Sequence, residues 1–464
     1  MIKKIDIQQE MYSQILGKEL FEQAKSYTYA YMDGVHERNV FPNDEAIKNL
    51  VVFDEPFPAM SINPTELLRM LHEYGSPATV TQTGGRYFGF VTGSSVPSAL
   101  AAKWLSDVWD QNTALYVMSP ISSQLEATCE KWLVDLLGLP AGTGAGFVTG
   151  SSTANLCGLA AGRNELLNRQ GWDVNVDGLF DAPKLRVVLG GQAHATIFKA
   201  LALLGLGKSR VEIVPTDNQG RMIVDEMPES CLVITQAGNV NTGAFDPIDE
   251  ICDLARRVNA WVHVDGAFGL WAAGSRTKKI LTQGIDKADS WAVDAHKTLN
   301  APYDSGIILC KHSEILVAAM QATAAYIPHG EQRDGMHYTP EMSRRGRVVE
   351  LWATLKFLGK DGVEELVDRL CDHAKRFAEN LRAEGFRILN DVVFNQVLVA
   401  CDSPEHTKVT LENIQKSGEC WCGGSVWNGE PVIRISVCSW ATTVADVERS
   451  VAAFVNARDR AIFP

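Results

Sequence analysis

No stretch of this 464-residue chain reaches the roughly 18 consecutive apolar residues needed to cross a bilayer. The opening Met1-Ile2-Lys3-Lys4-Ile5-Asp6 turns polar at once and has no signal-peptide core, so neither membrane nor export is expected. Positive charge is in deficit: 43 Lys and Arg stand against 56 Asp and Glu, a net charge of −13, which argues against nucleic acid or an anionic membrane as partner. No CxxC pair occurs. Ten cysteines are scattered, and Cys420-Trp421-Cys422 has one spacer and no nearby histidines, so no zinc site or other metal centre is expected. Lone cysteines inside apolar runs, such as Cys231 and Cys310, read as reduced, buried thiols of a cytoplasmic protein. Also missing are the P-loop and a GxGxxG after the first strand, which speaks against a P-loop nucleotide site and a dinucleotide-binding dehydrogenase.

What is present is an ordinary globular composition, 46% hydrophobic and 21% charged, in a chain too long for one core. Helices are expected over 8–32 and 44–51. Pro56, Pro58 and Pro64 then separate an opening segment, 1–78, too small to fold alone. Leu125, Cys129, Trp132, Leu133 and Leu136 form a helical stripe between Ser119-Pro120 and Gly138. Seven short apolar runs follow, at 146–149, 185–189, 211–214, 231–235, 261–264, 291–293 and 306–309, with helical patterns at 154–169, 194–204, 247–258 and 311–320. This alternation predicts an α/β domain over 79–352, a mostly parallel seven-stranded sheet with helices on both faces. A long helix from about 351 and strands at 386–389, 395–400 and 432–437 predict a smaller α+β domain over 353–464.

Ligands of such sheets bind at strand ends, and the strand ends here carry chemistry. "WVHVDGAFGLW" puts His263 and Asp265 on one side of a strand that ends at Asp265. "FVTGSSTANL" leads a strand into Ser151, Ser152 and Thr153 at a helix start, where hydroxyls and free amides suit either a phosphate or simple capping. "GGQAHATIFKAL" places His194 at a second helix start, and "TQAGNVNTGAFDPID" is a further polar strand-end loop. "VDAHKTLNAPYDSG" runs a strand directly into Asp294, His296 and Lys297.

These motifs, with "GRYFGF", "SPISSQLE", "SRRGRVVELWATLKFLG" and "IRISVCSWATT", resemble in content and order the pyridoxal-phosphate-dependent amino-acid decarboxylases of the aromatic-amino-acid and glutamate decarboxylase group, from about residue 80 to about 450. The resemblance implies fold type I, the aspartate-aminotransferase fold, with pyridoxal 5′-phosphate as cofactor. It implies that Lys297 forms the Schiff base with the cofactor, an amine being the group a substrate amine displaces. Asp265 would face the ring nitrogen, Ala267 one ring face and His194 the other. Ser151 and Ser152 would hold the phosphate, with His296 and Asn239 nearby, and Asp294 and Arg347 match positions close to the cofactor. In the family a mobile-loop tyrosine is implicated in returning a proton. Within 324–345 the candidate is Tyr338, with Tyr326 as alternative. Tyr87, Phe88 and Phe90 would border a substrate pocket or belong to the core. The expected protein is a homodimer with active sites near its interface, acting on an L-amino acid, a small-molecule substrate, to give an amine and CO₂. Transamination, aldehyde formation with oxygen and side-chain cleavage are the other Cα outcomes of the same fold. Gly150-Ser151 stands where the family commonly has paired glycines, and Ala441 where many members have arginine.

Overall fold

The computed structural model describes residues 6–321 and 332–461. Twelve strands lie among the described residues, and each of the seven expected runs of the large domain is one of them, displaced by at most two residues. They are β1 (Tyr87–Phe88), β2 (Gly144–Val148), β3 (Val187–Gly190), β4 (Val211–Val214), β5 (Leu232–Gln236), β6 (Trp261–Asp265), β7 (Ser290–Asp294), β8 (Gly306–Cys310), β9 (Arg387–Ile388), β10 (Gln396–Ala400), β11 (Trp421–Trp427) and β12 (Glu430–Ser436). The seven-stranded sheet has the order β2-β8-β7-β6-β5-β3-β4. Only β8 runs against its neighbours β2 and β7; the remaining pairings are parallel. Every residue of β5, β6 and β7 is buried, as expected of strands covered on both faces. One face packs on the helix Pro120–Leu137, the helix Ile248–Arg257 and the start of the helix Val348–Ala383. The other packs on the helices Ser151–Asn168, Ala195–Leu203 and Ser313–Met320.

A second sheet, β1-β11-β12-β10-β9, builds its own core around Phe377, Phe386 and Phe454. Two of its strands are not among the sequence expectations. β11 carries Gly423-Gly424, which depresses its strand propensity, and β1 is only two residues long. β1 crosses from the large-domain stretch to pair in parallel with β11. The helix Val348–Ala383 runs straight through the expected boundary at 352/353 and changes backbone conformation only at Gly359 (φ 59°). At the N-terminus the expected single helix is two, Ile7–Gly17 and Glu19–Gly34, divided at Lys18 (φ 64°). Neither buries a single residue. All ten cysteines are free and buried.

The helix Ser151–Asn168 approaches the sheet closely because it has glycine at 158 and 162. A Cβ at Gly158 would stand 2.5 Å from His263 Cε1, and one at Gly162 would stand 2.7 Å from Trp261 Cδ1. Both rings are hydrogen-bonded in place and cannot yield. Gly158→Ala should therefore destabilise the protein by about 1–3 kcal/mol in urea denaturation, overpacking outweighing a gain of about 1 kcal/mol in helix propensity. A net gain in stability would show that the helix is free to move outward.

Candidate active site

The carboxyl ends of β5, β6 and β7 are in register, with Gln236 opposite Asp265 and Asp265 opposite Ala292. Asp265 is buried, accepts a hydrogen bond from Ala267 N (3.3 Å) and has no ion-pair partner within 4 Å among the described residues. Burial pushes its carboxyl above the ordinary value, while His194 and Lys297 oppose that rise. A buried carboxylate with no adjoining cation is a fitting counterpart for a protonated ring nitrogen, and so the residues fit pyridoxal phosphate. His194 ends the loop after β3 and caps the helix Ala195–Leu203, with Nδ1 2.7 Å from Thr196 Oγ1. Burial lowers its pKa, which keeps the ring neutral and able to lie against an aromatic face. Ala267, two residues past β6, is partly exposed and offers only a methyl.

The turn after β7 brings Lys297 Nζ 3.1 Å from Asp294 Oδ2. Asp294 in turn accepts from Ser151 N (2.5 Å) and Ser151 Oγ (2.7 Å). This corrects one expectation: both donors of Ser151 serve Asp294, and Ser152 is the exposed hydroxyl at the helix N-terminus. His296 Nδ1 accepts from Ser305 N (3.1 Å), its Nε2 lies 3.7 Å from Asp294 Oδ2, and Tyr303 stacks on it at 4.3 Å. Burial holds His296 below its ordinary pKa as well. Arg347 sits one layer back, pairing through Nε with Asp304 Oδ1 (3.3 Å).

Three other expectations fare differently. Asn239 spends its Oδ1 on Asn241 N (2.9 Å) and Thr242 N, and its Nδ2 lies against Gly220; it makes no hydrogen bond to the Ser151–Ser152 turn. Phe88 is fully buried in the second core, edge-on to Phe377, and lines no pocket. Tyr87 is buried and stacks on Trp421 at 5.3 Å, while Phe90 is exposed, has φ 57° and covers the same indole at 5.5 Å. Tyr338 does not reach its own chain's Lys297. Its ring lies 3.8 Å beneath the Arg333 guanidinium and beside Gly144, at the opposite end of β2 from Gly150. Tyr326 lies outside the described residues.

Two residues of the site escaped the sequence reading. Arg434, on β12, is partly buried with no ion pair among the described residues, its buried Nε has no hydrogen-bond partner, and its charge reaches His194. Nothing in "VIRISV" marks that arginine as inward-facing except its place in an alternating strand. Asn300 is fully buried at φ 58°. Its Oδ1 accepts from Ser94 N (2.9 Å) and Trp440 N (2.9 Å), and its Nδ2 donates to Thr298 O (2.8 Å) and Cys438 O (2.9 Å).

Comparison with known proteins agrees with this geometry. A sequence model described as "Pyridoxal-dependent decarboxylase conserved domain" matches residues 67–400. The acidic amino acid decarboxylase of Mus musculus is 28% identical over 341 residues, covering 70% of this chain and 60% of that protein, so the chain spans well under two thirds of that relative's length. The aromatic-L-amino-acid decarboxylase of Bacillus atrophaeus is 28% identical over 345 residues, 71% of this chain and 69% of that one. A crystal structure of Oryza sativa TDC with PLP and tryptamine superposes with a TM-score of 0.87 at 21% identity, over 96% of this chain and 97% of that one, which establishes fold type I. Since the family's sequence pattern covers most of the chain and the fold carries lysine, aspartate and histidine to adjoining strand ends, the chain belongs to the pyridoxal-dependent decarboxylase family.

Proposed function

We propose that this protein is a carboxy-lyase that uses pyridoxal 5′-phosphate to convert an L-amino acid into the corresponding amine and CO₂. The observation that carries the reading is the convergence of Lys297, His194 and a buried Asp265 without a salt bridge among the described residues at the carboxyl ends of β7, β3 and β6. When bound, the cofactor supplies the electron sink for the pair released as the Cα–carboxylate bond breaks. The chain's own residues hold and orient. Lys297 Nζ anchors the cofactor, and Asp265 keeps a proton on the ring nitrogen. His194 and Ala267 confine the ring from its two faces. Ser152 and the positive end of the 18-residue helix Ser151–Asn168 take the phosphate, with Ser151 steadying Asp294 beside Lys297. Arg434, partly buried and without an ion pair among the described residues, would take and orient a substrate carboxylate. Tyr87, Phe90 and Trp421 form an apolar wall that excludes water from this space.

Decisive evidence comes from CO₂ release by the holoenzyme across a panel of L-amino acids, with Lys297→Ala as blank. Release from one or a few substrates, lost in the variant by at least about 10³-fold, is the expected result. Cofactor absorption unchanged in Lys297→Ala would remove that lysine from its role. Normal absorption with no CO₂ from any substrate would point to another Cα reaction.

The active form we infer is a homodimer in which residues 1–78 pack on the partner. Leu16, Val51, Phe57, Met60, Val108 and Val117 are each at least 70% exposed, more apolar surface than an isolated subunit leaves in water. Sedimentation should give twice the 50.8 kDa chain mass, and an active monomer would refute the assignment. Ten unpaired thiols support a reducing, cytoplasmic setting. Tyr338→Phe should leave the amine as sole product, because the ring is held under Arg333 at the far end of β2. Appearance of aldehyde would bring Tyr338 into the reaction.

A further inference from the structure

A buried chain of hydrogen bonds runs from the floor of the large sheet towards Asp265. Trp261 Nε1 lies 3.0 Å from Ser290 Oγ, Ser290 Oγ lies 2.8 Å from His263 Nδ1, and His263 Nε2 lies 2.8 Å from Asn155 Oδ1. Asn155 Nδ2 has no hydrogen-bond partner of good geometry and faces the Asp265 carboxylate, whose acidity it raises. Trp261, Ser290, His263 and Asn155 are all at most 1% exposed, so water does not complete or reorient the chain.

The direction of every bond follows from the two ends. An indole nitrogen only donates, so Ser290 Oγ accepts from Trp261. The serine proton is then free for His263 Nδ1, which leaves the histidine proton on Nε2, donating to Asn155 Oδ1. The asparagine is thereby turned with its amino group towards Asp265. The reverse orientation would set an amide oxygen against a carboxylate and strand the serine proton. His263 stays neutral through this, its pKa pushed down to about 3 by burial, so it carries one N–H and one acceptor at any working pH. Gly158 and Gly162 hold the space in which the two rings stand.

We propose that Asn155, His263 and Ser290 are positioning residues that hold Asp265 ionised where it would meet the cofactor's ring nitrogen. This rests on the assignment of Asp265 to the ring nitrogen. A carboxylate and a ring nitrogen share one proton. A donor aimed at the carboxylate lowers its proton affinity and leaves the proton on nitrogen; loss of that donor lets it drift to Asp265. Without His263, the Asn155 amide loses the donor that holds its Oδ1 end in place.

The test is the ¹⁵N resonance of holoenzyme loaded with ring-¹⁵N pyridoxal phosphate, read together with kcat and KM. In the unsubstituted enzyme the nitrogen should be protonated. In Asn155→Leu and His263→Leu the resonance should move towards the unprotonated position, with kcat down about tenfold and KM changed less than about twofold. His263→Gln, which retains a donor for Asn155 Oδ1, should restore most of the original shift. Should His263→Leu not fold, Asn155→Leu decides the matter. An unmoved resonance in Asn155→Leu, with Asp265→Asn moving it, overturns the relay and leaves the role of Asp265 standing. An unmoved resonance in Asp265→Asn overturns the role of Asp265 itself, and the relay with it.

Discussion

The site depends on how closely one helix lies on one sheet. Gly158 and Gly162 let the helix Ser151–Asn168 settle against His263 and Trp261. That depth sets the position of the helix N-terminus, where Ser151 meets Asp294, and of Asn155 one turn further on, opposite Asp265. A helix held about one methyl group further away would lose both contacts together, since interiors of this density transmit displacement instead of absorbing it. Sheet strands supply the reactive side chains, but the spacing of small residues on a helix decides whether they share one site.

Electrostatics inside that site is governed by burial. Asp265 and His194 are both driven towards their neutral forms by loss of water; Asp265 is opposed in this by His194 and Lys297, and His194 by Asp265 and Asp294. Such an arrangement is balanced only when a further cation and a further anion arrive. A ring nitrogen beside Asp265 and a carboxylate beside Arg434 are of the right sign and stand on different sheets. On the proposed assignment, the two-sheet architecture separates the charge that would polarise the cofactor from the charge that would orient the substrate.

Much of this was legible in the sequence, for identifiable reasons. The central strands β5, β6 and β7 are largely apolar runs closed by a polar residue, and that pattern survives folding because both faces are buried. Lys297, Asp265 and His194 are legible because each ends or follows a strand. Less was legible where partner choice decides. Ser151 stands in the expected place, but its donors go to Asp294, 143 residues away in sequence, and spacing does not reveal that competition. Asn239 is drawn into its own turn by amides two and three residues on, and Phe88 into the second core by Phe377, far away in the chain. Arg434 was missed because an inward arginine on an alternating strand reads like its outward neighbours until the opposite sheet is in place.

Asn300 shows how the two halves are joined. It binds the loop at Ser94, the turn that carries Lys297, and the segment at Cys438 and Trp440 with one side chain. Gly93 lies so close to the Lys297 carbonyl that a Cβ there would stand 2.2 Å from it. The apolar wall of Tyr87, Phe90 and Trp421 continues from this same loop. Lys297 and the loop that leads from the aromatic wall are thus tied through the Gly93 backbone, which donates to His296 O (3.2 Å), and through the Asn300 side chain. Substitutions in the wall can alter which side chain of a substrate is admitted without disturbing Lys297, and substitutions at Asn300 or Gly93 cannot. On that division, the proposed function places substrate preference of this protein at the rim and its chemistry at the strand ends.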